Sequence, residues 1–337
     1  MAGRDRRRNP AADPLQLHAG HTITFSYDAL GRPTSQADNL FGTTAAEYDL
    51  AGRRTRLIRP PADERFEYLA TGAMKTVLTE AGFVLATIGY DALGRRSSLA
   101  MYNGTVTSYS YDGAGRLASL AHDFAGTAHD VTFTYAYNPA GQIVGRTSSN
   151  DLYGFTGVSN QSGTDSHNGL NQVTTSGAVA VSHDARGNTT AIGSANFVYT
   201  VDNLLATGPG GNYAYDPLGR MMHSGPAARD FMYDIGSGRL LGEKAMNGGP
   251  VLLSYTPGPG VDETLMVWNP STGAVDPLHT DERGSVIAVS DGSGNVTAIN
   301  RYDDYGMPEG PSGTGTQAGR FGYTGQAWLP EQRGNRA

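Results

Sequence analysis

The residues to weigh first for chemistry are the eight histidines, at positions 18, 21, 122, 129, 167, 183, 223 and 279. His18-x-x-His21 could ligate a metal as a pair, but it stands beside a chain start expected to be unstructured. His122-Asp123, His129-Asp130 and His183-Asp184 have the residue types of a base and its orienting acid. His183-Asp184 has a plainer explanation, because it fills a slot in a repeat described below. Asp291 to Asn295 is oxygen-rich, faintly like a calcium loop, but it lacks the full acidic set and the closing Glu. A hairpin turn is the expected reading there. Gly313-Thr314-Gly315-Thr316-Gln317-Ala318-Gly319 nearly imitates a dinucleotide loop, yet its last spacing is wrong and no strand–helix unit surrounds it. It reads as a flexible loop. Neither Gly-x-Ser-x-Gly, a Walker A loop nor His-Glu-x-x-His occurs. With no cysteine, thiolate metal sites, disulfides and a cysteine nucleophile are excluded. No catalytic residue, metal site or cofactor is therefore assigned, and the chain is expected not to be an enzyme.

Composition points the same way. The 337 residues include 46 glycines, twice the usual ~7%. Eighteen residues are Tyr, and charged residues are 17%, below the roughly 25% of an average domain. Coiled coils and helical repeats need Ala, Glu, Lys and Leu instead. The net charge of −7 argues against general nucleic-acid binding. No apolar run approaches the ~18 residues of a membrane span. Met1 to Pro10 carries Arg4, Arg6, Arg7 and Arg8 with no apolar stretch after it, so residues 1–20 are expected to be a disordered leader and not a secretory signal.

The glycines and tyrosines belong to a repeat. Tyr27-Asp28-Ala29-Leu30-Gly31-Arg32 recurs as Tyr48-Asp49-Leu50-Ala51-Gly52-Arg53, as Tyr90-Asp91-Ala92-Leu93-Gly94-Arg95, as Tyr111-Asp112-Gly113-Ala114-Gly115-Arg116 and as Tyr215-Asp216-Pro217-Leu218-Gly219-Arg220. Looser copies begin at Tyr68, Tyr137, His167, His183, Tyr199 and Tyr233. A fixed period of about 20 residues is the mark of a repeat architecture.

The elements that position this motif follow from its flanks. Ile23, Phe25 and Tyr27 alternate with Thr22, Thr24 and Ser26, and Val131, Phe133, Tyr135 and Tyr137 with Thr132, Thr134 and Ala136. Period-two alternation of β-branched and aromatic residues predicts strands. Asp first, Pro tolerated second and Gly fourth predict a type I turn, the Gly at positive φ leading through a bulge into a returning strand. Where the Gly is replaced, Asn171 or Asn203 stands in, the residue type that best tolerates that backbone region. Each unit is then a β-hairpin, and the hairpins should stack side by side into one continuous antiparallel sheet. No amphipathic helix is expected. Glycines at 208–211 and 310–319 fall outside the repeat and are expected in mobile loops. The repeated Arg32, Arg53, Arg95, Arg116 and Arg220 either pair across strands with the preceding turn's Asp or line up with Tyr faces as a sugar- or polyanion-binding ladder.

These residues resemble the RHS/YD-repeat family, from about His21 to Gln326. A second match lies near the end. It comprises Leu278-His279-Thr280-Asp281-Glu282-Arg283-Gly284-Ser285-Val286, Asp291-Gly292-Ser293-Gly294-Asn295-Val296, Tyr302-Asp303-Asp304-Tyr305-Gly306 and Arg320-Phe321-Gly322-Tyr323-Thr324-Gly325-Gln326. In order and spacing these are similar to the opening of the RHS-repeat-associated core, which marks His279, Asp281, Gly284, Ser285, Tyr302, Tyr305, Gly306, Tyr323, Gly325 and Gln326.

The resemblance implies an all-β fold of stacked hairpins in a curved, spiralling sheet, part of a hollow shell around a C-terminal toxin or effector. It implies secretion or display at the cell surface, with the effector and secretion machinery as partners. A cell-surface module that recognises glycans or another cell is the alternative. The expected organisation is a leader at 1–20, a hairpin array at 21–245, the start of the core at 246–331 and a divergent tail at 332–337. After Ala327-Trp328-Leu329-Pro330-Glu331 the family continues with a Tyr-rich strand and the self-cleavage motif. Here Gln332 to Ala337 follows instead, so a truncated or frameshifted product is expected, one that would accumulate in the cytoplasm for want of a signal peptide. Its end strands should be open edges.

Overall fold

The computed structural model describes residues 21–59, 61–157, 163–225, 227–309 and 317–328. Among them the regular elements are 28 β-strands and two single 3-10 turns, Asp151–Tyr153 and Tyr323–Gly325. No helix among the described residues is long and apolar enough to cross a membrane. The expected leader, the 332–337 tail, His18 and most of the 310–319 glycine segment lie outside the described residues.

The alternation in the sequence becomes a division between buried and outward faces. In the strand Val131–Tyr137, Val131, Phe133 and Tyr135 are buried while Thr134 and Ala136 are exposed. In Glu64–Tyr68, Glu64 and Phe66 point inward and Arg65 and Glu67 outward. Within each sheet every strand pairs antiparallel with the next in sequence, so chain order and sheet order coincide. Consecutive hairpins give this meander because short turns can join only antiparallel neighbours.

The expected single sheet is interrupted twice. Twelve strands, from Ile23–Tyr27 to Ile143–Ser148, form the first sheet. Five, from Asp165–His167 to Ala195–Asn196, form the second, and eleven, from Val198–Tyr199 to Val296–Ile299, form the third. After Ser148 the chain leaves the first sheet because Asn150 caps the 3-10 turn, its Oδ1 accepting the Leu152 N–H at 3.1 Å. That turn carries Tyr153 edge-on to Phe133. At Phe197 the ladder is handed over: its N–H donates to the Thr190 carbonyl at 2.9 Å, while Val198 already pairs with Thr207 in the third sheet. Glycines 208–211 are not a mobile loop, since Gly208 pairs with Gly211 across a tight hairpin.

The first and third sheets pack face to face. Leu57, Phe66, Val77, Ile88 and Leu99 from the first meet Leu241, Leu265 and Met266 from the third. Further along, Leu120 and Phe133 meet Ile287 and Ala288. Each such side chain contributes roughly 1.5–3 kcal/mol on burial, which one hairpin alone cannot collect. Segment 317–328 docks at the far end, where Phe321 packs on Tyr255 with ring centroids 4.8 Å apart. No strand residue of the second sheet is buried.

Candidate functional site

The residues of the repeat build one local structure many times. At the first turn, the Gly31 N–H donates to the Asp28 carbonyl and the Asp28 N–H to the Arg32 carbonyl, both at 3.0 Å. Gly31 sits at φ +76°. Asp28 Oδ1 accepts the N–H groups of Leu30 and Arg32 at 2.9 Å, and Oδ2 accepts Arg32 Nε at 2.6 Å. A short side chain that binds the backbone two and four residues on fixes the turn from within. The same guanidinium hydrogen bond joins Asp49 to Arg53, Asp91 to Arg95, Asp112 to Arg116 and Asp216 to Arg220 at 2.6–2.7 Å. Gly52, Gly94, Gly115 and Gly219 all lie at positive φ, as do Asn171 and Asn203. Backbone N–H donation, from Arg32 and Arg53, holds the Asp28 and Asp49 carboxyls below their ordinary range. For Asp91 and Asp112 the guanidinium of Arg95 or Arg116 does so first.

In the first and third sheets tyrosine then ties hairpins to the ones before them. Tyr48 Oη donates to the Pro33 carbonyl at 2.9 Å, and Tyr90, Tyr111 and Tyr233 donate to the carbonyls of Met74, Arg96 and Met221 at 2.6–2.8 Å. Each acceptor lies two residues beyond the preceding turn's glycine. The preceding arginine covers the ring face: Arg32 lies 4.8 Å from the Tyr48 centroid, Arg95 4.2 Å from Tyr111, and Arg220 4.8 Å from Tyr233. Arg32 Nη1 also donates to the Asp49 carbonyl at 3.0 Å. Tyr27 has no earlier hairpin before it in the sheet and is 61% exposed. Burial pushes the Tyr215 phenol up to about 12.

The core-motif residues extend the same chemistry. Asp281 Oδ1 accepts the N–H groups of Arg283 and Ser285, and Gly284 lies at φ +82°. Asp303 does this for Tyr305 and Met307, with Gly306 at φ +81°. Asp291 does it for Ser293 and Asn295, with Gly294 at +84°. The Asp-x-x-Gly spacing was visible at all three, although only 291–295 reads as a turn from sequence. Tyr302 Oη donates to the Val286 carbonyl at 3.0 Å, and Tyr305 is exposed. Ser285 Oγ accepts the Thr324 N–H at 3.0 Å, Gln326 N–H donates to the Tyr323 carbonyl, and Arg283 Nη1 donates to Tyr323 Oη at 3.2 Å. Gly325 sits at φ +74°, where a Cβ would lie 2.8 Å from the Asp262 carbonyl.

A second polar array, between the sheets, has no sequence signal. Arg54 Nη1 donates to Asp234 at 2.5 Å, Arg96 to Glu263 at 2.5 and 3.0 Å, and Arg146 lies 3.3 Å from Glu282. Burial works against ionisation of Asp234 and Glu263, but their arginines hold both carboxyls below the usual range. Deeper in the seam, Arg59 bridges the sheets. It pairs with buried Glu64 and donates to Ser254 Oγ and to the Leu241 and Tyr255 carbonyls. Glu243 receives Arg320 Nε at 2.6 Å, which anchors segment 317–328.

The candidate dyads do not form. Buried His122 meets Thr107 Oγ1 at 3.0 Å and the Thr280 carbonyl at 3.1 Å, while Asp123 points to the other face as an exposed residue. Asp130 caps the Phe124 N–H, and Asp184 is spent in its turn. His279 meets Ser290 Oγ at 2.9 Å and packs edge-on to His122. Burial pushes His122 down to about 4 and holds His279 well below its ordinary value. His21 pairs with Asp38 at 3.0 Å. Sequence reading missed buried His223–Asp230, 2.9 Å apart across neighbouring strands, where Asp230 Oδ2 also accepts the Gly248 N–H. Among the described residues no group of three or more His, Asp or Glu is placed to hold a metal ion.

Comparison with known proteins gives the same picture. A family model described as RHS Repeat matches residues 90–128. The chain is 26% identical over 215 residues to the tRNA3(Ser)-specific nuclease WapA of Bacillus spizizenii, an alignment covering 61% of this chain and 8% of that protein. Among solved structures it resembles the Photorhabdus luminescens Tc holotoxin pore with a TccC3 mutation, at 14% identity and TM-score 0.54, covering 93% of this chain and 21% of that one. It also resembles TcdB2-TccC3 without the hypervariable C-terminal region, at 15% identity and TM-score 0.51, covering 90% of this chain and 21% of that one. At these identities the structural likeness carries the fold.

Proposed function

We propose that the chain, whose residues 90–128 match the RHS Repeat model, is a member of the RHS/YD-repeat family and a non-enzymatic wall segment of a β-shell that encloses or displays a C-terminal effector. The observation that carries this reading is the commitment of the repeated side chains. Asp, Arg and Tyr of the turns are spent on one another and on neighbouring backbone, so they stiffen a wall and leave little for a ligand. Asp28, Gly31 and Arg32, with their counterparts at 48–53, 90–95, 111–116 and 215–220, are the wall's ties, and Tyr27 fills the same slot on the exposed edge strand. In this reading 21–245 is the hairpin array, and 246–331 opens the segment that closes the shell. A secreted or surface-displayed parent protein follows. The glycan-binding alternative loses ground because the arginines it needs already cover tyrosine rings.

The test has two arms. Incubation of the purified chain with tRNA should leave the RNA intact, whereas cleavage abolished by His223→Ala would overturn the non-enzymatic assignment. The polypeptide encoded directly downstream should co-elute with the chain and resist trypsin in its presence. Separate elution and unchanged digestion would overturn the enclosing role.

A further inference from the structure

Among the described residues, a cavity lies apart from the turn ladder. It opens between the turns at the end of the first sheet and the face of the third, with a volume of about 440 Å³. Small-molecule sites span about 300–1,000 Å³ and combine an apolar lining with a few polar groups. Leu85, Met266 and Val275 make the apolar lining here, Trp268 supplies an aromatic wall, and Asp63 and Glu80 bring carboxylates.

The charge around it is unbalanced. Glu64, also in the lining, is neutralised by Arg59 within the seam. Asp63 and Glu80 are not matched one to one. Arg56 lies 2.9 Å from Glu80, 3.1 Å from Glu47 and 3.9 Å from Asp63, so three carboxylates share one guanidinium. Their side chains keep 49%, 56% and 21% exposure for Glu80, Glu47 and Asp63, so a visiting cation can reach them. An apolar recess with an indole and carboxylates only partly compensated by Arg56 selects a positive group on a hydrocarbon stem. The charge is attracted to carboxylate and to the aromatic face, and the stem to the floor.

We propose that this cavity binds an apolar organic cation, an ammonium or guanidinium group carried on a hydrocarbon body. The source is either a free small molecule or a basic side chain on a peptide, and the chemistry is shared. The site does not rest on the wall role, and the tRNA and trypsin outcomes leave it standing.

The experiment uses the full chain carrying Trp328→Phe, which leaves Trp268 as its only indole. Phenyltrimethylammonium, its uncharged isostere tert-butylbenzene and the peptide acetyl-Leu-Arg-Leu-amide are titrated against Trp268 fluorescence. A saturable change with either cation is expected, with the isostere at least about tenfold weaker. Asp63→Asn with Glu80→Gln, which keeps shape and removes charge, should weaken the cation about tenfold without altering the far-UV circular dichroism. Tighter binding of the peptide assigns the site to a polypeptide partner, and tighter binding of phenyltrimethylammonium to a free cation. Equal binding of the isostere, undiminished binding by the double variant, or no saturable response to either cation would each overturn the proposal.

Discussion

At the scale of single residues, the repeat reads as a set of backbone instructions. The glycine slot is occupied by Gly at 31, 52, 94, 115 and 219 and by Asn at 171 and 203, all at positive φ. What the slot selects is therefore a backbone angle. At Gly115 an added Cβ would meet only Arg95 Nη1 at 3.4 Å, an ordinary contact, so a substitution there measures the angle and not a clash. Gly115→Val should cost of order 1–3 kcal/mol, because a β-branched residue is strained in that region. Gly115→Asn should cost less than half as much, since Asn visits the region readily. Urea midpoints of the two variants check this, and equal destabilisation would contradict the slot's reading. The aspartate beside it is equally local, caging two N–H groups and its own arginine within five residues.

At the scale of elements, what was legible in the sequence was what is local. Alternation along Val131–Tyr137 and the Asp-x-x-Gly turns specify hairpins through neighbours a few residues apart, so the all-β meander followed. The joints between sheets left no such trace. Arg54 and Asp234 are separated by 180 residues, and Arg59 reaches Leu241 over 182. No period connects them, and an arginine after a turn glycine looks the same whether it faces solvent or a facing sheet. The breaks at 150–153 and Phe197 were hidden for a similar reason: one Asn cap and one bend decide them. The cavity depends wholly on this unseen apposition. Arg59 is the test of the joint. Arg59→Ala would leave Glu64 buried without its partner, a loss of about 3–5 kcal/mol. Arg59→Met combined with Glu64→Leu should recover at least half of that loss, because it removes both charges and keeps apolar volume. Denaturant unfolding of the two variants decides, and a double variant no more stable than Arg59→Ala would show that the pair is not coupled.

At the scale of the whole molecule, the two large sheets are held by apolar burial and by polar groups that work only in one protonation state. His122 and His279 stand in this joint, one in a strand of each sheet, with Phe124 packed against both rings. His122 is buried in its neutral form, with its folded value near 4 and an ordinary value of 6.5. Below pH 6.5 the unfolded chain takes up a proton that the folded chain refuses. Stability is therefore full above that pH and falls as pH drops towards 4. Through His122 alone the loss by pH 5 is about 2 kcal/mol, and His279 adds in the same direction. Glu64, Asp276 and Asp281, whose carboxyls burial raises, titrate the opposite way. The informative quantity is thus the difference between the natural chain and His122→Asn, an uncharged side chain that still hydrogen-bonds. Urea unfolding at pH 7 and pH 5 should show the natural chain losing about 2 kcal/mol more than the variant. The same pH dependence in both would remove His122 from the joint's acid sensitivity. A single shared transition in the Trp328→Phe background, followed by Trp268 in the third sheet and by backbone circular dichroism, would show that the sheets part as they unfold.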